Sequence, residues 1–317
     1  MAFSSAFSLF LNVTSSVLLI SINKVLLSKE GFMWTNTLCG LHFLTTAAVS
    51  RIFASEGRSS LARPIPASVL VIFTNVSVFS ISLLTLSLKI NSVGFYQLSK
   101  LVAVAVTCLF ERFLFSKTFS SRTLGSIAVV LVGVASTIVG DVTLSLQGLI
   151  TAALSVILSS AQQIGVAKIQ KDYSLSANEL VAAVFHWQAL VLLVGGPVFD
   201  VLLFGSSPLS WDGFVLRDQR IAWLFGSCIA AVAVNYSQVC CVRSLSPTGF
   251  QVLGNAKNVF VLLVGSTFFD GSLPFRTLIG QAIAVFGMVL YTRSVQECKE
   301  QGQESPITLV EPRSTKQ

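Results

Sequence analysis

The chain has 317 residues, of which 53% are hydrophobic and only 11% charged, with a formal net charge of +7 and a mean hydropathy of +0.78. Soluble domains carry about 25% charged residues, so this composition excludes a soluble globular protein, and the positive charge is not the footprint of a nucleic-acid binder. Apolar runs of about 20 residues, each long enough to cross a hydrocarbon core of about 30 Å, fill nearly the whole length and leave no room for a separate soluble domain.

The apolar runs predict ten membrane-spanning segments, at residues 6–27, 33–53, 67–88, 92–113, 121–140, 146–167, 180–203, 221–242, 247–268 and 275–293. The first lacks a basic leader region and a small-residue cleavage site, so it reads as a retained span. Asn23 and Lys24 stand in its last third, where Lys24 either reaches the interface or touches a ligand. His42 in the second segment and His186 in the seventh stand alone on apolar runs and read as core residues. In the fourth, Tyr96, Gln97 and Lys100 share one helix face, being four and three residues apart. Lys100 lies about 12 Å into its segment, too deep to snorkel easily. An aromatic ring, an amide and an ammonium on one face suit a base or sugar next to a phosphate.

Amides such as Gln162, Gln163 and Asn235 in apolar segments suit helix-to-helix hydrogen bonds. Gly195-Gly196-Pro197, near the end of the seventh segment, reads as a kink or gate. The ninth segment contains G-F-Q-V-L-G-N-A-K-N (249–258), in which Lys257 is the one charged residue between Arg243 and Asp270. A lysine deep in a bilayer helix costs about 2.5–3.5 kcal/mol, so it faces a cavity, a partner or a ligand. Gln251, Asn255 and Asn258 stand around it as candidate ligand contacts.

An even number of spans puts both termini on one side. Thirteen of the 21 Lys and Arg fall on that side and five on the other, so both termini are expected in the cytoplasm. Residues 295–317 are polar and are expected to form a disordered cytoplasmic tail. Five of the six cysteines sit in apolar segments with neither a disulfide framework nor zinc-ligand spacing, so no metal site is expected.

The chain also repeats itself. Aligning Gly94 with Gly249 pairs Phe95 with Phe250 and Leu98 with Leu253, and brings Lys100 within two positions of Lys257. Downstream, Phe119–Val134 matches Leu273–Met288 through a shared R-T-L and a later glycine. The expected fold is therefore all-α and integral to the membrane, with ten transmembrane helices as two five-helix repeats at 1–141 and 142–294. Five spans per repeat invert the second half relative to the first, as in many secondary transporters whose substrate site lies near the midplane. No G-x-S-x-G, H-E-x-x-H, Walker loop or paired carboxylates occur, so neither an enzyme nor a nucleotide-driven pump is expected.

Four stretches carry a resemblance: I-N-K (22–24), N-S-V-G-F-Y-Q-L-S-K (91–100), I-Q-K-D-Y-S-L-S (169–176) and G-F-Q-V-L-G-N-A-K-N (249–258). Over about residues 10–293 the chain resembles the nucleotide-sugar and triose-phosphate branch of the drug/metabolite transporter superfamily, above all its plant Golgi members for UDP-rhamnose/UDP-galactose and UDP-xylose. The resemblance implies an antiporter that brings a nucleotide sugar into the Golgi lumen in exchange for a nucleoside monophosphate. It implies no cofactor and leaves the endoplasmic reticulum and a homodimer open. Lys100 and Lys257 match the phosphate-holding positions of the family. Close relatives read G-H-x-K-T where this chain has Asn255 and Asn258, and triose-phosphate relatives follow the lysine with arginine, so Asn258 leaves this chain without a second fixed cation there. Two other readings stand beside this one: a carrier of phosphosugars or other organic anions with the same fold, and a transport-inactive membrane scaffold or regulator.

Overall fold

Inside a hydrocarbon layer no water satisfies backbone N–H and C=O groups, so apolar runs close their hydrogen bonds within themselves. A computed structural model describes residues 5–28, 32, 34–55, 65–91, 93–115, 119–138, 145–205, 218–268 and 275–300, with some side chains in these stretches left undescribed. Among the described residues the regular elements are all helices: α1 (Ser5–Ser28), α2 (Thr35–Ser55), α3 (Ala67–Ile90), α4 (Val93–Phe115), α5 (Ser121–Ile138), α6 (Leu146–Asp172), α7 (Ala177–Phe204), α8 (Asp218–Phe268) and α9 (Phe275–Glu300). Four stretches, Ala67–Ser87, Leu146–Asp172, Ala177–Leu202 and Arg220–Leu245, are each long and apolar enough to cross a membrane.

Local chemistry sets several helix ends. The Ser145 side chain caps α6 by accepting from the Gly148 N–H. Ser176 and Glu179 form a reciprocal capping box at the start of α7, and Gly205, left-handed at φ 71°, closes its other end.

Two boundaries differ most from expectation. The break expected over 243–246 is helical, and α8 runs 51 residues with Pro247 inside it. Proline tolerates the first helical position because the N–H it lacks has no partner there, so a second helical run can begin at Pro247 without a break in backbone geometry. A straight helix of that length would span about 76 Å, over twice a hydrocarbon core of about 30 Å. Pro247 sits where α8 changes neighbours: Ser227 and Ser237 bond to α1, whereas Thr248 bonds to α4. The last helix continues to Glu300, past the expected end at 293, and in that extension Glu297 pairs with Arg122 of α5 at 2.6 Å. Residues 301–317 of the expected tail lie outside the described residues.

Packing joins the two halves of the chain: α5 lies along α9, α2 along α7, α1 along α8 and α3 along α6. The α5–α9 contact is antiparallel and reciprocal. A Cβ at Gly133 would lie 2.5 Å from the Ala284 nitrogen and 2.7 Å from the Gly280 oxygen, and one at Gly287 would lie 2.7 Å from the Val130 nitrogen and 3.1 Å from the Ser126 oxygen. Gly133 and Gly287 are counterparts in the aligned repeats, and so are Val130 and Ala284, and Ser126 and Gly280. Small residues let two backbones touch in this way. Gly133→Ala and Gly287→Ala should therefore each destabilise the protein, by about 1–3 kcal/mol, since backbone cannot yield as a side chain can. Thermal unfolding in detergent checks this against Gly125→Ala, where, among the described residues and apart from the helix's own backbone, no atom lies within 4 Å of the new Cβ and stability should hold or rise. Equal melting temperatures for all three variants would contradict the expected close contact.

The antiparallel α2–α7 pair has Phe43 edge-on to Phe185 at its centre, with ring centroids 5.1 Å apart, and a polar tie at each end. At the start of α2, Asp200 of α7 accepts from the Asn36 and Thr37 N–H groups at 3.0 and 2.9 Å, from Asn36 Nδ2 at 2.9 Å and from Thr37 Oγ1 at 2.7 Å. One turn earlier on α7, Gly196 lets this part of α2 approach, since a Cβ there would stand 3.1 Å from the Thr37 nitrogen. The Gly195-Gly196-Pro197 run thus provides a close approach within a helix that continues through Pro197. At the other end of the pair, Ser50 Oγ donates to Asn178 Oδ1 at 2.7 Å.

Candidate substrate-binding site

Lys100 rides on the buried face of α4. Ala103, Val104, Thr107, Cys108 and Glu111, which follow at helical spacing, are all buried. Lys100 itself is half-buried, and its Nζ lies 4.2 Å from the centroid of the Tyr96 ring. This cation–π contact is worth about 0.5–2 kcal/mol, depending on how dry the pair is, and it restrains the ammonium. The expected shared face is thus present for Tyr96 and Lys100, with one ring face already given to the ammonium.

Farther along the same face, Glu111 is buried and accepts from Thr248 Oγ1 of α8 at 3.0 Å, with Cys108 Sγ 3.6 Å from that hydroxyl. This contact sets the register of two helices that carry the candidate lysines. Lys100 lies 11 residues before Glu111, about 16 Å back along α4, and position 257 lies 9 residues after Thr248, about 14 Å along α8. In the expected ten-span topology α4 and the part of α8 beyond Pro247 run antiparallel, and those displacements would then bring the two positions to nearly equal heights. Gln251, three residues past Thr248 on α8, is half-buried. The side chains of Lys24, Gln97, Asn255, Lys257 and Asn258 lie outside the described residues, although all five backbones are helical.

Asn23 is half-buried on α1, and its Oδ1 accepts from Ser227 Oγ of α8 at 2.6 Å. Ser227 Oγ in turn lies 2.7 Å from Nε2 of buried His42. Thr46 Oγ1 donates to the His42 carbonyl at 2.6 Å and receives Asn235 Nδ2 at 3.0 Å, which ties α2 to α8 around the histidine. The helix-joining role expected for Asn235 is realised here. His42, expected as an isolated core residue, is instead the start of a polar chain. Sequence reasoning also passed over Ser227, Thr248 and Glu111; a glutamate just before Arg112 was the available signal for the last.

Asn91, the first residue of the N-S-V-G-F-Y-Q-L-S-K stretch, serves the scaffold: its Nδ2 donates to the Gly148 carbonyl and Ser87 Oγ, both at 3.1 Å, joining the end of α3 to the start of α6. Among the described residues no three His, Cys, Asp or Glu side chains gather as a metal site would need.

A sequence model of the Triose-phosphate Transporter family matches residues 5–292. The chain is 38% identical over 288 residues to UDP-rhamnose/UDP-galactose transporter 2 of Arabidopsis thaliana, covering 90% of this chain and 82% of that protein. It is 34% identical over 285 residues to UDP-xylose transporter 2 of the same plant, covering 90% and 80%. A crystal structure that shares 17% identity superposes with a TM-score of 0.64, covering 93% of this chain and all of the other, which shows a common fold.

Proposed function

Because this chain belongs to the Triose-phosphate Transporter family, we propose that it carries a UDP-sugar of the galactose, rhamnose or xylose type into the Golgi lumen in exchange for UMP. The relatives named for UDP-rhamnose, UDP-galactose and UDP-xylose support the substrate class. The observation that carries the mechanism is the register fixed by Glu111 and Thr248, which supports two lysine-bearing helices meeting at one height. An ammonium is a compact donor of three hydrogen bonds to phosphate oxygens, so Lys100 and Lys257 would clamp the diphosphate of the sugar donor and the phosphate of UMP in turn. Tyr96, Gln97, Gln251, Asn255, Asn258, Asn23 and Lys24 complete the proposed binding surface.

Alternating access would come from two inverted repeats, at 1–141 and 142–294, that exchange roles, with ten spans and both termini in the cytoplasm. The reciprocal glycines of α5 and α9 support this arrangement. So does the pairing of helices, since exchanging each segment for its counterpart maps α5–α9 and α2–α7 onto themselves and α1–α8 onto α3–α6.

Proteoliposomes preloaded with UMP and offered labelled nucleotide sugars test the proposal. Uptake of a UDP-sugar well above that into empty liposomes is the expected result. Uptake of phosphosugars alone would favour the organic-anion carrier, and entry of no solute on the panel would leave the scaffold reading.

A further inference from the structure

The chain from His42 through Ser227 to Asn23 has a definite sense. Its 2.6 Å link between Ser227 Oγ and Asn23 Oδ1 has the length of an O–H···O bond and is short for N–H···O. The serine hydroxyl has one proton, and that link uses it. The 2.7 Å contact must then be donated by His42 Nε2 to Ser227 Oγ. Asn23 Oδ1 is thereby committed to the protein, and Asn23 Nδ2 makes no hydrogen bond among the described residues.

Depth along the helices relates this chain to Lys100. Asn23 lies 5 residues, about 8 Å, before the end of α1, and His42 lies 7 residues, about 10 Å, after the start of α2. Successive helices alternate in direction, so α4 begins on that same side, and Lys100 lies 7 residues, again about 10 Å, along it. Ser82, eight residues before the end of α3, bonds Asn36 in the first turn of α2, so α3 and α4 reach farther out than α2 and Lys100 stands about one to two turns outward of Asn23 and His42.

We infer that Asn23 offers both N–H groups of its side-chain amide to an acceptor oxygen of the bound nucleotide, and that His42 and Ser227 are positioning residues that hold it in this sense. The inference rests on the nucleotide-sugar reading above. An unrestrained asparagine presents oxygen or nitrogen equally well, so a ligand would meet the wrong dipole half the time and face a phosphate with a carbonyl. The His42 chain removes that choice before the ligand arrives.

The test uses the full-length protein, with UMP binding measured in detergent and UDP-galactose exchange in liposomes. Ser227→Ala should raise KM about tenfold with Vmax within about twofold, and His42→Leu should match it. His42→Gln, which can place an N–H near the Nε2 position, should recover most of the loss. Asn23→Asp keeps the acceptor for Ser227 but loses both donors, and should raise KM at least as far. Adding Ser227→Ala to Asn23→Ala should cost nothing further, because both act through one amide. Competition by UMP and by uridine locates the acceptor: weakening of both points to a carbonyl of the base, and weakening of UMP alone points to a phosphate oxygen.

A role in packing alone would lower Vmax and the melting temperature while leaving KM unchanged, and that pattern overturns the inference. So does an unchanged KM in Ser227→Ala or independent, additive losses in the double variant. Wild-type protein that neither binds UMP nor exchanges any nucleotide sugar defeats the transport reading first, and the inference with it.

Discussion

Lys100→Ala is expected to abolish UDP-sugar exchange while the protein stays folded, and Lys257→Ala is expected to do the same. A charge-assisted hydrogen bond is worth about 1.5–3 kcal/mol, so losing the bonds of one ammonium to a phosphate reduces affinity by roughly two orders of magnitude. Stability should not suffer, because a lysine inside a bilayer is itself costly by about 2.5–3.5 kcal/mol. For Lys100 the ring of Tyr96, 4.2 Å away, is a contact the alanine variant can lose cheaply. Lys100→Arg should rescue poorly, since a planar fork does not reproduce a compact ammonium held over that ring. Counterflow of UDP-galactose against UMP, run beside size-exclusion chromatography and thermal unfolding, separates lost transport from lost fold. Uptake equal to wild type in either variant would remove that lysine from the site.

Asp200→Ala should be the most damaging scaffold substitution. It strips one acceptor from four donors at once, two of them the Asn36 and Thr37 backbone N–H groups in the first turn of α2, where no intrahelical partner exists. Asn36 is fully buried, so water cannot replace the carboxylate, and the loss should reach about 3 kcal/mol or more. Asp200→Asn keeps the shape and part of the bonding and should cost clearly less. A melting temperature in detergent that falls by several degrees for Asp200→Ala, and by a smaller amount for Asp200→Asn, is the expected order. The reverse order, or no fall, would show that α2 starts without this cap.

Helices and their approximate limits were legible because hydrocarbon demands long apolar runs, and the R-T-L repeat with its later glycine marked the helices that meet at Gly133 and Gly287. The tie from Asp200 to Asn36 was not legible, nor was the chain from His42 through Ser227 to Asn23, because each joins residues more than 160 positions apart. Periodicity tells which face a polar group occupies and nothing about which helix faces it. Glu111 was hidden for the same reason, its partner Thr248 lying 137 residues away. The run into Pro247 misled in another way: residues 243–246, left between two segments because they are polar, are helical, and the proline expected to open the ninth segment lies inside a continuing helix. Asn23, Tyr96 and Lys100 were singled out as candidates from sequence, while the Asn23–Ser227 bond and the contact of Lys100 with the Tyr96 ring needed side-chain geometry.

The contact between α5 and α9 bears on motion as well as on packing. Where the two helices meet backbone to backbone, at Gly133 and Gly287, no side chain stands between them to compress. A reciprocal pair would also look the same after the halves traded places, as the alternating-access proposal has them do. In the exchange of repeats proposed above, this pair would act as a fixed spindle.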